Sequence, residues 1–482
     1  MIGPVLGRLR LEIALLLGCA AIGVLTAISV KYAVTAMVVL GLSGWVLVRP
    51  ATAGYLLIFL TPLVVGVDAS HLVPLLRPNE ALIVLFGALI GVRWLAGVRT
   101  GDRRWPRLDR VDITLIALGL TSSVVPLMMM VARQRAIATD DLLYCIVIWK
   151  LLGEYIIVRV TITNREQAMR CLVLSMISAA IVSGIAILQS LSLFGVPALL
   201  AKFYAPLGVT AVLSNGRGSS LLGLPAAVAD LAILNLVIAI AMIARGHPRR
   251  LWLAGLAALF ALSVLAAAEF STVIALLVAL GAVVALTKSG KIVAYGIPVA
   301  VLGGVLLWPV IEIRLSGFHS ASGLPISWIT RLHNLQTYFW PTLFSDWNWI
   351  LGVRPSARVT APNQEYGYVW IESGYTWLLW GGGIPLLASY LGFAVAVIRK
   401  GWAFARRADA AGIAGTAVAA AMCAQMFSMI FDPHLTYRGA GDALFLILAL
   451  VRVLPGRQAR ADDGGTPVVA AAATPRTQEV FA

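Results

Sequence analysis

Apolar runs of about 17–25 residues recur along nearly the whole chain, and no other feature limits its fold so sharply. Lipid offers unpaired backbone groups no partner, so runs of this length cross a bilayer as helices. They fall near 11–30, 33–48, 51–67, 80–98, 113–131, 142–160, 171–190, 223–244, 251–267, 270–287, 292–310, 373–398, 411–431 and 441–454. Composition agrees: 60% of residues are hydrophobic and only 12% charged, against about a quarter charged in soluble domains. The expected fold is therefore all-α, a polytopic integral membrane protein of about fourteen spans.

Charge gives an orientation. The net charge of +15 would suggest nucleic acid in a soluble protein. Here it reflects short basic loops on one side of the membrane, which excludes a nucleic-acid partner and follows the positive-inside pattern. With the N-terminus in the cytoplasm, most of the 37 Lys and Arg lie on inner segments. The outer segments keep only Lys31, Arg77, Arg133, Arg135, Lys202, Arg217, Arg314, Arg331, Arg354, Arg358 and Arg438. Both termini are then cytoplasmic. Residues 1–454 form the membrane domain, and 455–482 read as a disordered cytoplasmic tail, rich in Ala, Gly and Thr without periodicity. The four cysteines, Cys19, Cys145, Cys171 and Cys423, all fall in expected spans without metal-ligand spacing.

One polar stretch interrupts the pattern. Over 312–372 stand Arg314, His319, Arg331, His333, Asp346, Arg354, Arg358, Glu365 and Glu372 among Trp and Tyr. It reads as one large extracytoplasmic loop carrying the chemistry, with a short helix over Leu332 to Leu343 lying on the membrane surface. Outer arginines run against the topological bias. A bound anion such as pyrophosphate explains their retention, because guanidinium offers planar bidentate donors; pairing with Asp or snorkelling to headgroups is the plainer alternative. The candidates are Arg217, Arg331, Arg354, Arg358 and Arg438.

For acid–base work the candidates are Glu372, where the loop re-enters the bilayer beside Trp370 and Tyr375, and His333. Partial desolvation there is expected to lift Glu372 toward the range of a general base. The turn Asp432-Pro-His-Leu-Thr-Tyr-Arg438 is a second outer segment able to face the same site. Within the spans, Lys150 and Glu154 are four apart and are expected to neutralise each other or to pair across helices. Glu80, Asp230, Asn235 and Glu269 read similarly. No phosphate-binding glycine loop or other nucleotide motif is present, so transferase chemistry outside the cytoplasm requires a pre-activated, lipid-linked donor.

Three stretches resemble the bacterial O-antigen polymerase and O-antigen ligase superfamily of polytopic membrane glycosyltransferases. They are Gly216-Arg-Gly-Ser-Ser-Leu-Leu-Gly-Leu-Pro225, then Arg331-Leu-His-Asn-Leu through Ile350-Leu-Gly-Val-Arg354, then Glu372-Ser373 followed nine residues later by Gly383. The resemblance implies a metal-independent, inverting transfer without cofactor, from an undecaprenyl-pyrophosphate-linked oligosaccharide, at the outer face of the inner membrane. A chain-length regulator is a further partner it implies. Arg217 and Arg331 would then bear on the departing pyrophosphate. Glu372 stands where ligases of the superfamily carry histidine, which favours a polymerase joining lipid-linked repeats over a ligase acting on lipid A. Glu269-Phe-Ser271 stands where relatives carry Ser-Arg-Gly, so one arginine contact the resemblance implies is either absent or supplied by Arg354 or Arg438. A transporter or flippase of lipid-linked glycan is the alternative of another class; it would place polar groups at the midplane of broken helices.

Overall fold

The computed structural model describes residues 29–67, 77–98, 108–204, 216–288, 323–361 and 367–452, with Leu454 and scattered positions between 303 and 318. Most of the expected spans 11–30 and 292–310, the loop residues Arg314, His319 and Glu365, and the tail from Pro455 lie outside the described residues.

About 78% of the structure is helical. Helices α1 (Val30–Val48), α2 (Ala51–Val64), α3 (Pro78–Val98), α4 (Arg110–Ala132), α5 (Thr139–Thr161) and α6 (Arg165–Ser190) come first. The short α7 (Val196–Phe203) follows, then α8 (Pro225–Ala244), α9 (Arg250–Ala266) and α10 (Phe270–Thr287). Inside the polar stretch lie α11 (Ile326–Asn334), α12 (Trp340–Phe344) and α13 (Asn348–Leu351). After it come α14 (Gly374–Ala405), α15 (Ala410–Ser428) and α16 (Ala440–Leu448). Seven of these, α3, α4, α6, α8, α10, α14 and α15, are long and apolar enough to cross a membrane. This is the build of an all-helical membrane protein.

Local chemistry sets the helix starts. Asp109 accepts from the amides of Val111 and Asp112, and the Asp112 carboxylate accepts from the Asp109 amide, a reciprocal cap that opens α4. Asn164 accepts from the Gln167 amide, which starts α6 at Arg165, ahead of the apolar run expected from 171. Asp409 and Ser373 cap α15 and α14 in the same way.

The bundle is built around α8 and α15, with 89% and 78% of their apolar windows buried. Hydrophobicity does not drive helices together in lipid, so close approach of small residues must. A Cβ on Gly401 of α14 would stand 2.5 Å from the Gly415 carbonyl of α15, and one on Gly415 would stand 2.9 Å from that of Gly401. Polar contacts gather at the two ends of the bundle. At one end Lys400 bonds Asp109 (2.6 Å), Arg159 pairs with Asp112, and Arg245 donates to the carbonyls of Arg407 and Gly412. At the other end the loops described next meet.

The described part of the polar stretch is folded onto the bundle. Its helical stretch begins at Ile326, earlier than the expected Leu332, and α11 passes into a π-turn over Leu335–Phe339 before α12. Pro341 has no amide hydrogen for the ordinary i−4 bond, so the register slips there. Strands β1 (Arg358–Thr360) and β2 (Tyr368–Trp370) form an antiparallel hairpin in the register Arg358↔Trp370.

This cap docks on a break in α14. Gly383 has φ 65° and ψ −154°, and Pro385 follows it. The broken ladder frees the Trp380 carbonyl, which accepts from the amides of Val353 (2.7 Å) and Arg354 (3.3 Å) instead. Any Cβ at Gly383 would stand 2.2 Å from the Ile350 carbonyl oxygen.

Candidate functional site

The loop carrying Arg217 is clamped to the end of α6. Gln189 donates to the Ser219 hydroxyl (3.0 Å) and accepts from the Ser220 amide (2.7 Å). The Gly218 amide donates to the Ala266 carbonyl (3.0 Å). Arg217 therefore lies over the turn between α9 and α10, donating to the Ala267 carbonyl (3.3 Å) and forming an ion pair with Glu269. Ala268, at φ 53°, is the left-handed residue that turns Glu269 back toward it.

Arg331 reaches the same place from α11. The ring of Trp328 packs against Phe431, with centroids 4.8 Å apart, and this seats α11 on the turn between α15 and α16. Arg331 then lies 2.8 Å from Asp432 and 3.7 Å from Glu372, whose other oxygen accepts from Asn334 (3.2 Å). Below them His434 is fully buried, its Nδ1 2.6 Å from Asp230 of α8 and its ring stacked obliquely on Tyr437. The cluster thus holds Arg217, Arg331 and His434 against Asp230, Glu269, Glu372 and Asp432.

Its electrostatics follow from burial. Burial pushes the Asp432 carboxyl up to about 7, although Arg331 and His434 oppose this. Burial disfavours the charged His434 ring, but the carboxylates of Asp230, Asp432 and Glu269 outweigh it and leave its pKa above the usual value. Arg331 is held firmly charged in the same way, the carboxylates of Asp432, Glu269 and Glu372 overriding burial. The second oxygen of Glu269, the Nε2 of His434 and the amide oxygen of Gln425 are buried without a hydrogen-bond partner among the described residues. Gln425 donates to the His434 carbonyl (3.2 Å). A group able to exchange protons near neutrality therefore sits beside the Arg331 guanidinium and the buried His434 ring.

The sequence candidates separate into three sets. Arg217, Arg331 and Glu372 come together. Arg354 and Arg358 share no partner with them: Arg354 forks onto Asp141 (2.9 and 2.6 Å) and Arg358 onto Asp140 (2.9 and 2.7 Å), fastening the hairpin to the start of α5. His333 and Arg438 are exposed and form no ion pair among the described residues. The desolvation expected at Glu372 belongs to Asp432, whose side chain is 10% exposed against 33% for Glu372. Glu269, Asp230 and His434 join the cluster, although in sequence they look like span charges or part of a neighbouring turn. The one signal for them was a cluster of polar residues at span ends. Lys150 pairs across helices, 2.7 Å from Asp442 of α16. No three His, Cys, Asp or Glu side chains among the described residues are grouped to hold a metal ion.

Comparison of the chain with protein-family models, curated proteins and solved structures found no match.

Proposed function

We propose that the protein is a membrane glycosyltransferase: a polysaccharide polymerase acting at the outer face of the bacterial inner membrane. In this reading the chain has about fourteen spans, with both termini cytoplasmic and the 312–372 segment outside. The observation that carries the proposal is the convergence of Arg217 and Arg331, from distant loops, on one carboxylate-lined cluster at the end of the bundle. An undecaprenyl-pyrophosphate donor would take these guanidinium groups over from Glu269 and Glu372. The acceptor hydroxyl oxygen bonds to the anomeric carbon, the carbon–oxygen bond to pyrophosphate breaks, and the lipid diphosphate leaves under the arginines. Glu372, the most accessible of the charge-paired carboxylates around Arg331, receives the hydroxyl proton.

The test is a polymerisation assay with the purified chain and a synthetic lipid-pyrophosphate repeat unit. Arg217→Ala, Arg331→Ala and Glu372→Ala are each expected to lower turnover at least about a hundredfold, the size of a lost transition-state contact. Full-length products from all three variants at wild-type protein levels would reject the site. Transfer to lipid A but not to lipid-linked repeats would assign the ligase reaction instead.

One observation favours a second reading. Helix α14 is broken at Gly383, and the proton-exchanging Asp432 and His434 lie near the start of that broken helix, as a transporter of lipid-linked glycan would require. Proteoliposomes distinguish the two: a transporter moves labelled donor across the bilayer without forming a glycosidic bond.

A further inference from the structure

At the end of the bundle opposite the arginine–carboxylate cluster, a groove of about 610 Å³ runs between the first turn of α4, the last turns of α14 and the chain just after α16. Its floor is apolar, with Ile113, Val395 and Phe404 lining it, and its rim is basic. Two of the rim charges, Lys400 and Asp109, satisfy each other at 2.6 Å. Three cations remain. Arg110 and Arg399 are exposed and have no carboxylate partner among the described residues. Arg452 is half-buried; it donates to the Ile162 carbonyl, while its Nε is buried without a partner.

That residue shows the local imbalance most plainly. Arg452 forms no ion pair among the described residues, and Arg159 is a like-charged neighbour. A cation left without a counter-charge at a half-buried site asks for an anion. The apolar floor adds a second requirement, since it gives a free inorganic anion nothing to hold. Only a molecule with an acidic head and a hydrocarbon body uses both halves of the groove.

We propose that this groove binds an anionic phospholipid, its phosphate held by Arg110, Arg399 and Arg452 and an acyl chain laid along Ile113, Val395 and Phe404. The site is independent of the chemistry at the other end of the bundle. It anchors the start of α4 to the end of α14, so lipid binding ties together two helices that otherwise meet there through Lys400 and Asp109.

Native mass spectrometry of the full chain in detergent tests this, titrating phosphatidylglycerol against phosphatidylcholine with identical acyl chains. Phosphatidylglycerol is expected to bind more tightly. Arg110→Gln and Arg399→Gln should each weaken it about fivefold and leave phosphatidylcholine unaffected. Gly392→Leu is a second, uncharged probe. A Cβ there meets only the Thr114 methyl at 3.8 Å, so the longer side chain fills the groove without striking backbone and should expel the first-bound lipid. Equal affinity for the two lipids, unchanged phosphatidylglycerol binding in the double arginine variant, or competition by millimolar inorganic phosphate alone would each overturn the proposal.

Discussion

Asp432 exchanges its proton close to neutrality because burial lifts its carboxyl to about 7. In the unfolded chain the same group titrates near 3.8. Between those values the folded protein holds a proton that the unfolded chain has lost, so this group's contribution to stability falls as pH rises through that window and levels off above it. His434 acts in the same direction. Its pKa is raised above 6.5, so its stabilisation is present in acid and lost as pH rises through the folded value. Thermal midpoints in detergent should therefore decline between pH 5 and pH 8. Asp432→Asn should make that decline shallower, and an unchanged slope would show that the carboxyl titrates elsewhere. Arg331→Ala probes the same charge from the other side. It strips the buried carboxylate of its cation at 2.8 Å, costing about 3 kcal/mol above pH 7 and less at pH 5, where Asp432 is protonated. A loss equal at both pH values would mean that the guanidinium stabilises by packing alone.

At the scale of elements, the break in α14 decides where the cap can sit. Gly383→Ala forces a Cβ to 2.2 Å from the Ile350 carbonyl at a φ of 65°, so α13 must lift. The loss should be about 2 kcal/mol or more, accompanied by faster proteolysis of the loop around 345–354. Gly381→Ala is its control: a Cβ there meets Leu386 at an ordinary 3.5 Å, and stability should hold or rise slightly. The hairpin depends on a different attachment. Asp141 is fully buried and accepts from Arg354 and from the Ser356 amide, so Asp141→Asn should loosen the hairpin by about 1–3 kcal/mol. The Arg217–Glu269 and Arg331–Asp432 pairs should survive it, which hydrogen exchange of the two loops would report. Helix positions were legible in the sequence because apolar length carries that information locally. A helix overlaps every expected run that falls on described residues, although α16 ends at Leu448, short of the expected 454. The pairings were not legible. Arg354 and Arg358 look in sequence like Arg217 and Arg331, and only the fold shows two of them consumed by Asp140 and Asp141. The pairings of Glu269 and Asp432 are hidden for the same reason: each is a lone acid in a short turn, and its partner comes from a remote loop.

Across the whole molecule, the alternation of helix ends makes one claim that can be checked directly. The end of α6, the turn between α9 and α10, helix α11 and the turn before α16 all meet at the arginine–carboxylate cluster. The turn between α8 and α9 belongs to the opposite end, where Arg245 donates to the carbonyls of Ala405 and Gly412. Single cysteines introduced after replacing the native four should divide accordingly under a membrane-impermeant maleimide. Phe194→Cys just past α6, whose end holds the Arg217 loop, His333→Cys on α11 and Arg438→Cys before α16 should label from one side, all being exposed positions. Arg249→Cys should label only from the other. In intact cells the first three are expected to react, since the basic residues of the chain weight the opposite face. Uniform reversal would invert the protein in its membrane and leave the cluster whole. Labelling of Phe194→Cys and His333→Cys from opposite sides would separate Arg217 from Arg331 by the thickness of a bilayer, and no single diphosphate could then touch both.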